Sequence, residues 1–159
     1  MEPPKCLIAY YSRTGTTEKV ARELAEGLEA DVEQIVDTKD REGLVGWFGA
    51  AKDAALRRAT DIEPPQKNPA GYDLVLVGTP VWAFTVSCPV RSYLEQQRDR
   101  LPRVAFFLTT GGSGMESTFE KMAELSGKTP EATLGLRMKD VVKGRHTGAV
   151  DRFVEQLSE

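Results

Sequence analysis

Apolar runs alternate along this chain with stretches in which apolar residues recur every three or four positions. That alternation is the mark of parallel strands joined by crossover helices. Five runs predict strands, at residues 5–11, 31–36, 74–78, 104–109 and 133–138. The third and fourth are apolar almost without interruption, as strands covered on both faces should be. Four helical faces lie between or after them: Val20, Ala21, Leu24 and Leu28; Val90, Tyr93 and Leu94; Phe119, Met122, Ala123 and Leu125; Val150, Phe153, Val154 and Leu157. The connection at 37–72 is longer than a crossover needs. Within it Leu44, Trp47, Phe48, Ala51 and Ala55 keep helical spacing until Glu63, Pro64 and Pro65 stop the pattern, predicting an extra helix and a Pro-rich loop.

Five βα units beginning near the N-terminus predict a doubly wound parallel sheet of order 2-1-3-4-5. Its ligand site should lie beyond the carboxyl ends of strands 1, 3 and 4. A length of 159 residues fits one domain spanning 1–159, and no repeat, low-complexity tract or linker interrupts it. With 40% hydrophobic and 28% charged residues the composition is that of an ordinary globular domain. No run of apolar residues reaches a membrane-spanning length, and the first residues do not resemble a signal peptide. Cys6 and Cys88 are too few and too far apart for a metal knuckle or a C-x-x-C redox pair. A cytoplasmic location is therefore expected. A net charge of −3 argues against nucleic acid, although Arg57, Arg58 and the stretch 139–145 are locally basic.

The three strand ends that should form the mouth each carry ligand-type residues. After the first come Ser12, Arg13, Thr14, Gly15, Thr16 and Thr17, followed by a helix. Hydroxyls donate to phosphate oxygens, Gly15 permits a tight turn, and the free N–H groups of a helix start attract an anion. After the third come Thr79, Pro80, Val81, Trp82, Ala83 and Phe84, and after the fourth Thr110, Gly111, Gly112, Ser113 and Gly114. Other phosphate-binding designs fit less well. The first loop lacks the spacing and Lys of a P-loop, and a low-molecular-weight tyrosine phosphatase would need Cys where Ser12 stands. A response-regulator receiver would need Asp where Thr79 stands, and the run of glycines at 111–114 does not follow the first strand as a dinucleotide fingerprint would.

With these residues in view the chain resembles the flavodoxin family. Ser12, Thr14, Gly15 and Thr17 fit that family's [Ser/Thr]-x-Thr-Gly-x-Thr phosphate motif. Gly78, Thr79, Pro80, Val81 and Trp82 resemble the segment that lays an aromatic ring on the flavin, and residues 110–114 resemble the loop on its other side. The resemblance implies a flavodoxin-like three-layer α/β/α sandwich with FMN as cofactor. It implies that residues 12–17 hold the phosphate, that Trp82 stacks on the ring, and that backbone groups of 80–84 and 110–114 meet its polar edge.

Two departures qualify it. Many relatives carry Gly after the stacking Trp, where this chain has Ala83, whose Cβ disfavours positive φ by about 1 kcal/mol. The expected consequence is weaker stabilisation of the one-electron-reduced flavin. The second is a milder charge than the acidic carriers of the family, with Arg13 inside the phosphate loop.

Two functions remain open. One is electron transfer between FMN and a redox partner protein or a small-molecule acceptor. The other is an FMN-dependent NAD(P)H or quinone oxidoreductase, or a protoporphyrinogen-oxidase-like flavoenzyme. A scaffold that has lost its flavin and serves as a binding module is disfavoured by the three intact loops. The 37–72 segment could pack on the sheet or wall the flavin, with Lys52, Arg57 and Arg58 outward. Outside the mouth, His146 reads as a surface-loop residue without a role, and Cys88 as a buried or inert thiol beside a helix start.

Overall fold

The computed structural model describes residues 3–38 and 61–158. Its strands are β1 (Cys6–Tyr10), β2 (Asp31–Gln34), β3 (Leu74–Trp82), β4 (Thr85–Val86), β5 (Arg103–Thr110) and β6 (Thr133–Arg137). Its α-helices are α1 (Thr16–Leu28), α2 (Cys88–Gln97), α3 (Met115–Ser126), α4 (Met138–Val142) and α5 (Thr147–Ser158). Five strands are parallel and stand in the order β2-β1-β3-β5-β6. Numbered without β4, that is the expected 2-1-3-4-5. The short β4 pairs antiparallel with the far end of β3, an element the sequence pattern does not announce.

Side chains of a strand alternate between the two faces of the sheet, so each central strand feeds two cores. Cys6, Ile8 and Tyr10 of β1, with Leu74, Leu76, Ala105 and Phe107, meet Val20, Ala21 and Leu24 of α1 and Val150, Phe153 and Leu157 of α5. Leu7 and Ala9, with Val75, Val77, Val104 and Phe106, meet Val90, Tyr93 and Leu94 of α2 and Met122 of α3. Helices on both faces of a parallel sheet make the flavodoxin-like α/β architecture. They also explain why residues 74–79 of β3 and 104–110 of β5 read as continuous apolar runs, since neither face of those stretches meets water.

The five-residue α4 leaves no signal in the sequence, because a single turn and a half shows no period. Residues 44–58, with Trp47, Phe48, Lys52, Arg57 and Arg58, lie outside the described residues. On either side of that stretch the chain is drawn together: Asp37 bridges Ile62, the Thr38 amide donates to Asp61 O at 3.1 Å, and the Glu63 amide donates to Val36 O at 2.8 Å.

His146 corrects the sequence expectation. It is 2% exposed, and its Nε2 lies 2.9 Å from both carboxylate oxygens of Glu23 on α1, while Nδ1 is buried with no hydrogen-bond partner among the described residues. The partner stands 123 residues away in sequence, so no local pattern could have buried it. Cys88, by contrast, is the first residue of α2 and fully buried, as read.

Candidate functional site

The parallel strands all end on one edge, and there the chain leaves a cleft of about 260 Å³. Its lining divides into two chemistries. One wall is hydroxyl-rich and cationic, with Arg13, Thr14, Thr16, Thr17 and Thr109; the other is apolar, with Pro80, Val81, Trp82, Ala83 and Met138. Among the described residues Arg13 is the one charged residue in the lining. A ligand with an anionic tail and a flat apolar body matches this division.

The hydroxyl wall follows from how α1 begins. Gly15 holds φ at 97° as the residue before the helix, a conformation that costs glycine little and other residues more. No side chain of the described residues caps α1. The amides of its first turn lack intrahelical partners, and together with the helix dipole they favour an anion at this end. Ser12 shapes the turn by accepting a hydrogen bond from the Gly15 amide at 3.1 Å. A Cβ on Gly15 would find no atom of the described residues beyond its chain neighbours within 4 Å. Thr17 Oγ1 lies 2.8 Å from Thr109 Oγ1, tying this loop to the end of β5. Below it the Tyr10 hydroxyl donates to Glu18 at 3.1 Å; burial, followed by the charge and hydrogen bond of Glu18, pushes that phenol up to about 12. It stays protonated at physiological pH.

The apolar wall belongs to a hairpin. β3 runs on through Thr79 and Pro80 to Trp82, and two residues later the chain returns as β4, with Val81 opposite Val86 and Trp82 opposite Thr85. Thr79 is fully buried at its root: it donates to Pro80 O at 2.7 Å, lies 2.9 Å from Ser87 Oγ and accepts from the Ser87 amide at 3.1 Å. Tyr11 meets Trp82 edge to face, with ring centres 5.4 Å apart and planes at 87°, which fixes the indole at the mouth.

The turn takes up the very conformation that the Cβ of Ala83 disfavours. Ala83 has φ 48° and Phe84 φ 65°, so both adopt the left-handed conformation despite their side chains. Two-residue hairpins prefer this geometry because it matches strand twist, but they normally recruit Asn-Gly for it. For side chains with a Cβ the cost is about 1–2 kcal/mol per residue.

The third loop stands behind that hairpin. Thr110 Oγ1 donates to Ser113 O at 2.8 Å and accepts from the Gly112 amide at 3.2 Å, closing the loop on itself, while Gly111, Gly112 and Ser113 are exposed. Gly114 has φ 92°, and a Cβ there would lie 3.0 Å from Phe84 Cα and from Val81 Cγ1. Phe84 points outward and is 68% exposed. The cleft lining thus unites Arg13, Thr14, Thr16 and Thr17 with Pro80, Val81, Trp82 and Ala83; Ser12, Gly15, Thr79 and Gly114 shape its walls from behind. Thr109 and Met138 were missed. The sequence pattern places Thr109 at the end of one strand and Met138 at the end of another, and only the adjacency of β5 and β6 to the mouth draws attention to them.

A parallel α/β sheet with an uncapped, hydroxyl-rich helix start at the carboxyl end of its first strand defines a class of anion-binding α/β domains. Comparison narrows that class. The sequence pattern of the flavodoxin family matches residues 5–156, and the chain belongs to that family. No curated protein sequence matches it. Among solved structures it resembles a flavoprotein in complex with FMN from Lactobacillus acidophilus NCFM, at 22% identity and a TM-score of 0.71, over 89% of this chain and 97% of that one. It also resembles oxidised Flavodoxin 2 from Bacillus cereus, at 16% identity and 0.58, over 96% and 97% of the two chains. An apo NADH:FMN oxidoreductase resembles it at 13% identity and 0.56, over 97% of this chain and 88% of that one. At these identities the solved structures speak for the fold.

Proposed function

We propose that this cleft holds FMN and that the protein passes electrons between the flavin and a separate redox partner. The observation that carries the reading is the split lining: an uncapped helix start with Arg13 and three threonines on one side, and the Pro80, Val81, Trp82 and Ala83 strip on the other. In this assignment the amides of the α1 start, Arg13, Thr14, Thr16 and Thr17 hold the phosphate. Trp82, steadied by Tyr11, covers a face of the ring. When bound, the flavin supplies one- and two-electron redox chemistry. The chain contributes binding, orientation and exclusion of water from one face.

No helix among the described residues is long and apolar enough to cross a membrane, and Cys6 and Cys88 are both buried thiols, which suits a reducing compartment.

The test is a titration of the purified protein with FMN, followed by Trp fluorescence, and then anaerobic addition of NADPH. Saturable quenching with slow flavin bleaching is the expected result. Rapid bleaching without an added reductase would transfer the assignment to an NAD(P)H oxidoreductase, and no saturable change would end it.

A further inference from the structure

The hairpin at the apolar wall adopts its turn against the preference of its own residues, so something outside it must hold it there. Ala83 and Phe84 are both left-handed, and neither is Asn or Gly. The hold comes from the first turn of α3. Ser117 Oγ lies 2.8 Å from Phe84 O and 3.2 Å from Gly114 O, so the hydroxyl proton is donated to one or shared between both carbonyls. Beside it the bare Cα of Gly114 lies so close to Phe84 that an added Cβ would sit 3.0 Å from the Phe84 backbone. A hydrogen bond and a flat contact therefore press on the turn from behind, while Ala83 and Trp82 form the cleft wall in front.

We propose that Ser117 is a positioning residue for the flavin: by gripping the Phe84 carbonyl it keeps the Ala83 and Phe84 turn left-handed, and so keeps Trp82 and Ala83 against the ring. Ser117 itself lies outside the cleft lining, and its effect passes through Phe84. The proposal rests on the reading of the cleft as an FMN site. It also explains why a chain that lacks Gly at position 83 still shows the turn that Gly would favour.

The test is a double-mutant cycle on the full chain. Ser117→Ala and Ser117→Thr are made in the native hairpin and in an Ala83→Asn/Phe84→Gly hairpin, whose turn holds itself. FMN affinity and the visible spectrum of the bound flavin are measured for each. Hydrogen exchange over residues 83–86 is followed in the FMN-free proteins. In the native hairpin Ser117→Ala should weaken FMN about five-fold, the scale of one hydrogen bond. It should also change the spectrum and speed exchange, and Ser117→Thr should restore all three. In the Asn-Gly hairpin Ser117→Ala should change affinity by less than about two-fold. Equal losses in both hairpins overturn the proposal, as does unchanged affinity in the native one. If the unaltered protein takes no FMN while exchange still responds to Ser117→Ala, the flavin reading and its positioning role fall, and a purely structural grip is left.

Discussion

The loop at residues 12–17 and the hairpin at 79–86 face each other across the cleft, and both must send the backbone into the left-handed region. The loop does so with Gly15, at φ 97°, in open space and with its own Ser12 closing the turn. The hairpin does so at Ala83 and Phe84, at 48° and 65°, with side chains attached and α3 pressing from behind. One wall is encoded locally; the other is imposed by tertiary contact. A residue that breaks a local rule beside a binding site shows where the rest of the fold is storing conformational energy.

Substitutions can break that contrast, and the largest effect should come where the two devices meet. Gly114→Ala adds a Cβ at φ 92° and places it 3.0 Å from the Phe84 backbone. Left-handed strain and overpacking together should cost about 2–4 kcal/mol of stability, read from urea unfolding. Gly15→Ala meets the same backbone constraint at φ 97° but no neighbour within 4 Å. It should cost about 1–2 kcal/mol, with FMN affinity falling as the turn that aims the α1 amides deforms. Similar losses for the two would mean that the hairpin is not pressed by α3 at all.

The same contrast explains what could be read from the chain. The five parallel strands and four of the helices are legible because burial on both faces, or on one stripe, leaves its period in the sequence; Val20, Ala21 and Leu24 are all fully buried, as their spacing implies. The first loop was legible because Gly15 and its hydroxyl neighbours act through local geometry. The hairpin was not. Pro80 reads as a strand breaker, β4 offers only Thr85 and Val86, and Ala83 followed by Phe84 carries no turn signature. His146 and Met138 escaped for a related reason, since burial against Glu23 and a place in the cleft depend on elements far away in sequence.

Relieving the hairpin should have the opposite sign. Ala83→Asn/Phe84→Gly installs residues that tolerate positive φ at both turn positions. Removing strain of about 1–2 kcal/mol per residue, less the entropy the new Gly brings to the unfolded chain, should leave a net gain of about 1 kcal/mol. A raised midpoint in urea with an unchanged m-value checks it. A loss of stability would show that Phe84 contributes packing that outweighs the cost of its backbone.

The smallest expected effect comes from the far end of the sheet, where Arg103 begins β5 and Glu131 leads into β6. Arg103 Nε and Nη2 donate to the two oxygens of Glu131 at 2.6 and 2.8 Å, a two-pronged pair that nonetheless leaves the side chains 54% and 39% exposed. The hydrogen bonds from Arg103, with its positive charge, hold the Glu131 carboxyl below its usual 4.5, while partial burial opposes them. A carboxylate depressed in the folded state stabilises above its unfolded pKa and loses that contribution as the pH falls through the folded value. Glu131→Gln should therefore cost no more than about 0.5 kcal/mol at neutral pH, given the exposure of the pair. The gap between the two proteins should close as the pH drops well below 4.5, the usual value for this group. FMN affinity should be the same for both, because this pair stabilises the end of the sheet remote from the mouth. A change in affinity as large as that from Gly15→Ala would mean that the two ends are coupled, and that the hairpin's strain is shared by the whole sheet instead of being carried by α3.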